Sequence, residues 1–158
     1  MLLEKIISGG QTGVDRGALD AALDADFPCG GSCPAERVAE DGAIPAQYPV
    51  TPLPDGSYRE RTLQNVLDSD GTVLICNRVL SGGTRLTRDF CQQHARPYLV
   101  IDASLRSESA AAVEIATFVR GHGIRVLNVA GPRASVWSRA HQFAYEVILE
   151  LLRQISGP

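Results

Sequence analysis

Three times in this chain of 158 residues an apolar run breaks into a loop of small residues and then into a helical pattern. Lys5-Ile6-Ile7-Ser8 runs into Gly9-Gly10-Gln11-Thr12-Gly13, after which Val14, Ala18, Ala21, Ala22 and Ala25 fall at helical spacing. Thr72 to Cys76 precedes Ser81-Gly82-Gly83-Thr84 and a helix through about His94. Ile124 to Val129 precedes Ala130-Gly131-Pro132-Arg133-Ala134-Ser135, where Ser135 is placed to cap a last helix. That helix carries Val136, Ala140, Phe143, Ala144, Val147, Ile148 and Leu151 as its apolar stripe. A fourth run, Tyr98 to Ile101, leads through Ser107 and Glu108 to a helix ended by Gly121 or Gly123. The runs are continuously apolar rather than alternating, the habit of parallel strands covered on both faces. Strand and helix alternate, which predicts an α/β fold. The expectation is a single Rossmann-like three-layer domain over residues 1–158, with a mostly parallel sheet of about five strands.

One segment breaks the rhythm. Six of the nine prolines lie between Pro28 and Pro54, so residues 27–57 cannot hold a long helix. They read as an irregular Pro/Gly-rich excursion with one short strand, and a loop of that length in a compact domain usually covers a site. Tyr58 to Leu67 then returns to helical spacing.

Charge narrows the partners. The net charge is −3, and the 15 basic residues are 14 Arg and the single Lys5, scattered rather than blocked. No polybasic stripe points to nucleic acid, and no apolar run approaches the roughly 20 residues of a membrane helix. The amino-terminal segment is too short and too quickly acidic for a signal peptide. Cys29, Cys33, Cys76 and Cys91 offer no second pair at metal-ligand spacing, so reduced, mostly buried thiols in a cytoplasmic protein are expected, with no independent protein-ligated metal.

In doubly wound sheets, ligands bind outside the carboxyl ends of the strands. The loop Gly9, Gly10, Gln11, Thr12, Gly13 opens a helix with free N–H groups that attract negative charge, and Asp15 and Arg16 follow it. Ser81, Gly82, Gly83 and Thr84 repeat the placement, with Arg85 and Arg88 just inside the helix. Asn128, Gly131 and Arg133 belong to the third loop. The excursion adds Arg37, and Glu40 beside Asp41, adjacent carboxylates suited to the amino and ring N–H edge of a heterocycle. Arg61 precedes the turn Asp68-Ser69-Asp70-Gly71. Each loop alone is equally explained by a tight turn, and each arginine by a solvated helix face. The first loop is neither G-x-G-x-x-G nor a P-loop, since no Gly-Lys-Ser/Thr closes it. No nucleophile–base constellation appears, and His94, His122 and His141 fall on or at the ends of helices, away from the expected site.

The combination Ser8-Gly9-Gly10-Gln11-Thr12-Gly13-Val14-Asp15-Arg16, Cys33-Pro34 with Ala39-Glu40-Asp41-Gly42, Arg61-Thr62 with Asn65-Val66, Asp68 to Thr72, Ser81 to Thr84 and Asn128 to Pro132 resembles the molybdenum carrier family. The matches run from the first strand to the last helix. That family looks like a branch of the wider group of Rossmann-like proteins that includes the lysine-decarboxylase-like, LOG-type nucleotide hydrolases. The resemblance implies binding of molybdenum cofactor, a phosphate-bearing pterin, for storage or delivery to molybdoenzymes; a homo-oligomer is expected separately, because small sheet domains of this kind often self-associate. On that reading the phosphate sits on the amides of Gly10 to Gly13 or Gly82 to Thr84, arginines face the oxo-metal, and Glu40 or Asp41 takes the pterin edge.

The enzyme alternative is N-glycosidic cleavage of a nucleoside monophosphate. The LOG-type pattern P-G-G-x-G-T-x-x-E implied by the wider group ends in a glutamate, whereas Ser81-Gly82-Gly83-Thr84 is followed by Arg85-Leu86-Thr87-Arg88-Asp89. Asp89 or Asp15 is left to substitute for it. A nucleotide-sensing module without catalysis uses the same loops.

Overall fold

The computed structural model describes residues 2–156. Five strands form one sheet: β1 (Lys5–Ile7), β2 (Cys29–Gly30), β7 (Gly71–Cys76), β8 (Tyr98–Asp102) and β9 (Val126–Ala130). Their order is β2-β1-β9-β7-β8, and every pairing is parallel. All six residues of β7 are buried, as a central strand covered on both faces requires.

Five helices flank the sheet: α1 (Val14–Asp24), α2 (Tyr58–Leu67), α3 (Gly82–Gln93), α4 (Glu108–His122) and α5 (Ala140–Ser156). The alanines of α1 and α4 let these helices lie close to the sheet and to α5, and the three share one core with Val73, Ile75, Leu127 and Val129. Val66 of α2 meets Phe90 and Cys91 of α3 in a second core on the opposite face, against Tyr98. Local signals set the ends: Ser57 and Glu60 form a capping box at α2, Ser107 accepts a hydrogen bond from the Ala110 N–H at α4, and Gly123 ends α4 in the left-handed region.

The excursion is ordered by its own small pairs: β3 (Ser32–Cys33) with β6 (Thr51–Pro52), and β4 (Val38–Ala39) with β5 (Gly42–Ala43) as a hairpin. Cys33, Ala39, Ile44, Tyr48 and Val50 pack on Leu19 of α1 as a third core. Cys33, Cys76 and Cys91 are buried, as their residue type suggests, and Cys29 is half-buried.

The last helix departs from expectation. It begins at Ala140, because residues 133–137 form a turn in which Val136 and Trp137 N–H groups both reach the Arg133 carbonyl. Ser135 therefore caps no helix. Val136 is exposed rather than part of the stripe, while Trp137 is partly buried against Phe143.

The topology fixes where a ligand can enter. After β9 the chain passes to the α5 face, and after β7 it passes to the α3 face. The two connections diverge, leaving a crevice at the carboxyl ends of adjacent strands. If β9 and α5 stood before β1, the strand order would read 3-2-1-4-5, the doubly wound order.

Candidate functional site

A cavity of about 230 Å³ occupies that crevice. Ala130, Gly131, Pro132 and Arg133 after β9 form one wall, and Ser81 to Thr84 with Leu86 and Thr87 form the other. Gln11 and Asp15 come from the loop and helix after β1. Tyr58, Arg61 and Thr62 come from α2, and Val136 closes the rim. A smaller pocket of about 20 Å³ adjoins it and shares Asp15, Arg61, Thr62, Thr87 and Ala130, with Gly9, Asn65 and Asn128 added.

Arg61 is the principal cation of the site. Its Nη1 donates to Asp15 Oδ2 at 3.3 Å, and the two side chains are only 14% and 5% exposed. The guanidinium also lies 5.8 Å from the Tyr58 ring centroid. Its Nε is buried without a hydrogen-bond partner among the described residues. Burial pushes the Asp15 carboxyl above its ordinary value, against the pull of Arg61 and of the Gln11 N–H.

Gln11 is nine-tenths buried, and its carboxamide has a fixed sense. Oε1 accepts the N–H groups of Thr12 and Glu40, both at 3.0 Å, so Nε2 is the atom left over, with no acceptor in the chain among the described residues. The amino end of α3 offers more donors. Ser81 occupies the cap position without a side-chain capping bond, and the Gly82 and Gly83 N–H groups lie in the first turn, where a helix supplies no acceptor. Two guanidiniums, a carboxamide and open helix amides against one carboxylate make this an anion-accepting surface with an apolar rim.

The glycines of the first loop answer to the chain's own packing. A Cβ on Gly9 would stand 1.7 Å from Arg61 Nη1, so glycine here makes room for the guanidinium. Gly13 has φ +83°, and a Cβ on it would meet the Pro132 carbonyl oxygen at 2.4 Å, so it seals the first loop against the third. Gly10 faces Ile44 and Val50 of the excursion.

Of the residues expected at the site, Gln11, Asp15, Arg61, Ser81, Gly82, Gly83, Thr84, Gly131 and Arg133 line the main cavity, and Gly9 and Asn128 line the smaller pocket. Asn128 donates to Thr72 Oγ1. The others are spent elsewhere. Arg16 makes a two-pronged pair with Asp41, at 2.6 and 2.9 Å, and donates to the Gly10 carbonyl. Arg37, itself at φ +56°, donates to the carbonyls of Ile44, Pro45, Tyr48 and Val50, which shapes the excursion. Thr12 donates to Glu40, which also accepts from Ser135. Asp89 pairs with Arg88 and lines neither pocket. Tyr58, Thr87 and Val136 line the cavity although nothing in the sequence marks them for it, and Thr62 joins them from the Arg61-Thr62 motif. The helical spacing of 58–67 marks α2 as one element but does not say which polar face turns inward.

The profile of the circularly permutated YpsA SLOG family matches residues 6–152. The chain belongs to this family. Its circular permutation is visible in the fold as the β9–α5 unit standing at the end of the chain rather than before β1. A solved structure from Syntrophus aciditrophicus SB, at 1.45 Å and named "putative molybdenum carrier protein", is 43% identical, covers 96% of each chain and superposes with a TM-score of 0.93. No curated protein matches the chain. No helix among the described residues is long and apolar enough to cross a membrane.

Proposed function

We propose that this SLOG protein binds and carries the molybdenum cofactor, with the phosphate-bearing end of the pterin in the crevice between β9 and β7. The observation that carries the reading is the uncapped amino end of α3 opening on the same cavity as Arg61 and Gln11. A phosphate there meets the Gly82 and Gly83 N–H groups, the Ser81 and Thr84 hydroxyls, and a guanidinium whose place Asp15 fixes. At about 230 Å³ the cavity lies below the roughly 300–1,000 Å³ of pockets that engulf a whole drug-sized ligand. It suits one end of an elongated cargo and leaves the rest exposed for transfer. The relative named for molybdenum carriage supports a molybdenum-bearing cargo. Recipients on this reading are molybdoenzymes, the compartment is the cytoplasm, and the working form is an oligomer of this chain.

Titration of the purified protein with molybdenum cofactor in a calorimeter is the test. Saturable binding that is weakened tenfold or more by Arg61→Ser supports the reading; heat no greater than dilution in the parent ends it.

A second reading, hydrolysis of a nucleoside monophosphate, is favoured by one observation. The only carboxyl lining the cavity among the described residues, Asp15, is pushed by burial toward the protonated form an acid catalyst needs. Release of free base from AMP, abolished by Asp15→Asn, is its assay.

A further inference from the structure

Glu40 looks, from sequence, like a ligand contact, yet its carboxylate is consumed inside the chain. Oε1 accepts from the Thr12 hydroxyl and from the Ser135 N–H at 3.2 Å. Oε2 accepts from the Ser135 hydroxyl at 2.6 Å and stands 3.7 Å from Arg133 Nε. These bonds hold the Glu40 carboxyl below its ordinary value. The Thr12 hydroxyl in turn accepts the Ala134 N–H at 3.1 Å. The Glu40 backbone N–H is one of the two donors that fix the Gln11 carboxamide.

The two loops so joined follow neighbouring strands, β1 and β9, and each supplies a polar wall of the cavity: Gln11 from one, Arg133 from the other. Beyond the strand ends the ladder no longer aligns them. At the strand ends the Ser8 hydroxyl donates to the Val129 carbonyl and the Val14 N–H to the Pro132 carbonyl; beyond them, among the described residues, the hydrogen bonds spanning these loops run through Thr12 and Glu40. Glu40 itself comes from the turn of the β4–β5 hairpin, and Asp41 anchors that turn to Arg16 of α1.

We propose that Glu40 is a positioning residue of the ligand site: the hairpin tip clasps the loops after β1 and β9 together and so sets the distance and aim of Gln11 Nε2 and Arg133, without touching ligand. The proposal deepens the carrier reading and rests on the cavity being a ligand site. It gives the excursion a role distinct from a lid. The excursion does not have to move for binding to occur; it has to stay.

The test separates positioning from stability and from the carrier reading. Amide hydrogen exchange is followed without ligand, and binding of molybdenum cofactor, used as the probe, is followed by pterin fluorescence. The variants are Glu40→Ala, Glu40→Gln and Ile44→Val, the last loosening the excursion's own core without touching the Glu40 bonds. Glu40→Ala is expected to speed exchange at Ala134 and Ser135 tenfold or more, to collapse the Gln11 side-chain amide resonances toward their free positions, and to weaken probe binding tenfold or more. Glu40→Gln keeps one acceptor oxygen and recovers part of each, while Ile44→Val leaves binding within twofold. Unchanged exchange and an unchanged Gln11 resonance in Glu40→Ala overturn the proposal, as does equal weakening of binding by Ile44→Val. If the parent fails to bind the probe, the carrier reading falls, and the exchange and resonance data still decide the clasp.

Discussion

Replacing Gly9 by Ala asks whether the first glycine of the loop serves a ligand or serves Arg61. Its backbone has no positive φ, so the cost of Ala is purely one of space. The added methyl would fall 1.7 Å from Arg61 Nη1, 2.6 Å from Cζ and 2.9 Å from Asp15 Oδ2. The guanidinium must withdraw, and it cannot do so without loosening its pair with Asp15. Overpacking of this kind costs about 2 kcal/mol, within a usual span of 1–3. Arg61→Ala alone strands a buried carboxylate, for which about 3 kcal/mol is the lower end of the usual range. The lower end applies because burial already favours the protonated Asp15, so neutralisation is within reach. In the Arg61→Ala background the nearest neighbour left to the methyl at position 9 is Asp15 Oδ2 at 2.9 Å, the end of a side chain released from its partner, and Gly9→Ala should then cost little. The double variant is thus expected to fall short of additivity by about 2 kcal/mol, far outside the 0.3–0.5 typical of independent sites. Urea unfolding of the four proteins measures this, given an unchanged slope on denaturant. The single Gly9→Ala variant should also melt about 4–8 °C lower. Additive costs within 0.5 kcal/mol, or a Gly9→Ala variant as stable as the parent, refute the reasoning.

Gly13→Ala combines a positive φ with a contact to an immovable backbone oxygen and should cost more than about 3 kcal/mol in urea. Gly82→Ala, also at positive φ but with nothing within 4 Å, should cost about 1 kcal/mol in the same assay. Glu40 and Asp41 are held below their ordinary values by the groups that donate to them, so the stability they supply is present at neutral pH and lost as the pH falls below about 4. Glu40→Gln with Asp41→Asn should flatten that acid limb of the stability profile. Asp15 is raised and works in the opposite sense, gaining stability for the fold as the pH falls toward about 4, so Asp15→Asn should remove that gain on the approach to the acid limb. Arg37→Ala strips donors from four carbonyls of the excursion, and amide exchange at Ile44 and Tyr48 should rise tenfold or more while β7 is unchanged.

Continuous burial made β7 readable, and β1, β8 and β9 were readable as unbroken apolar runs, although β8 lies at the sheet edge with only Ile101 fully buried. The second strand was not readable as such. Two residues, Cys29 and Gly30, carry no period, and only pairing with Ile6 and Ile7 makes them a strand. The loops of the site followed from the strands, since small residues after a strand end in an α/β sheet mark where a ligand can approach. Asp15 on α1 and Arg61 on α2 were legible, but Tyr58 and Thr87 were hidden, since they lie within turns of α2 and α3 whose inward direction is set by packing of the two helices on each other. Arg16 and Glu40 read from sequence as ligand contacts, yet each finds a partner within the chain, and no spacing could tell an internal carboxylate–guanidinium pair from a ligand contact.

The place of β9 carries a consequence for how the molecule comes to be made. β9 lies between β1 and β7, yet it follows both in the chain, so the half-sheet β1–β2 and the half-sheet β7–β8 have no shared edge until it arrives. A ribosome-bound chain stopped after α4 would hold two ribbons with a strand-wide gap between them, and α1 would lack the helix it packs against most closely. Such gaps expose unpaired edges and apolar faces. The central strand acts as a keystone set last: the sheet closes, and the crevice with it, only once the final fifth of the polypeptide has emerged. Sequences of this order should therefore lean on chaperones during synthesis more than their unpermuted relatives, and arrest-peptide force profiles should show tension only after residues of β9 and α5 clear the exit tunnel.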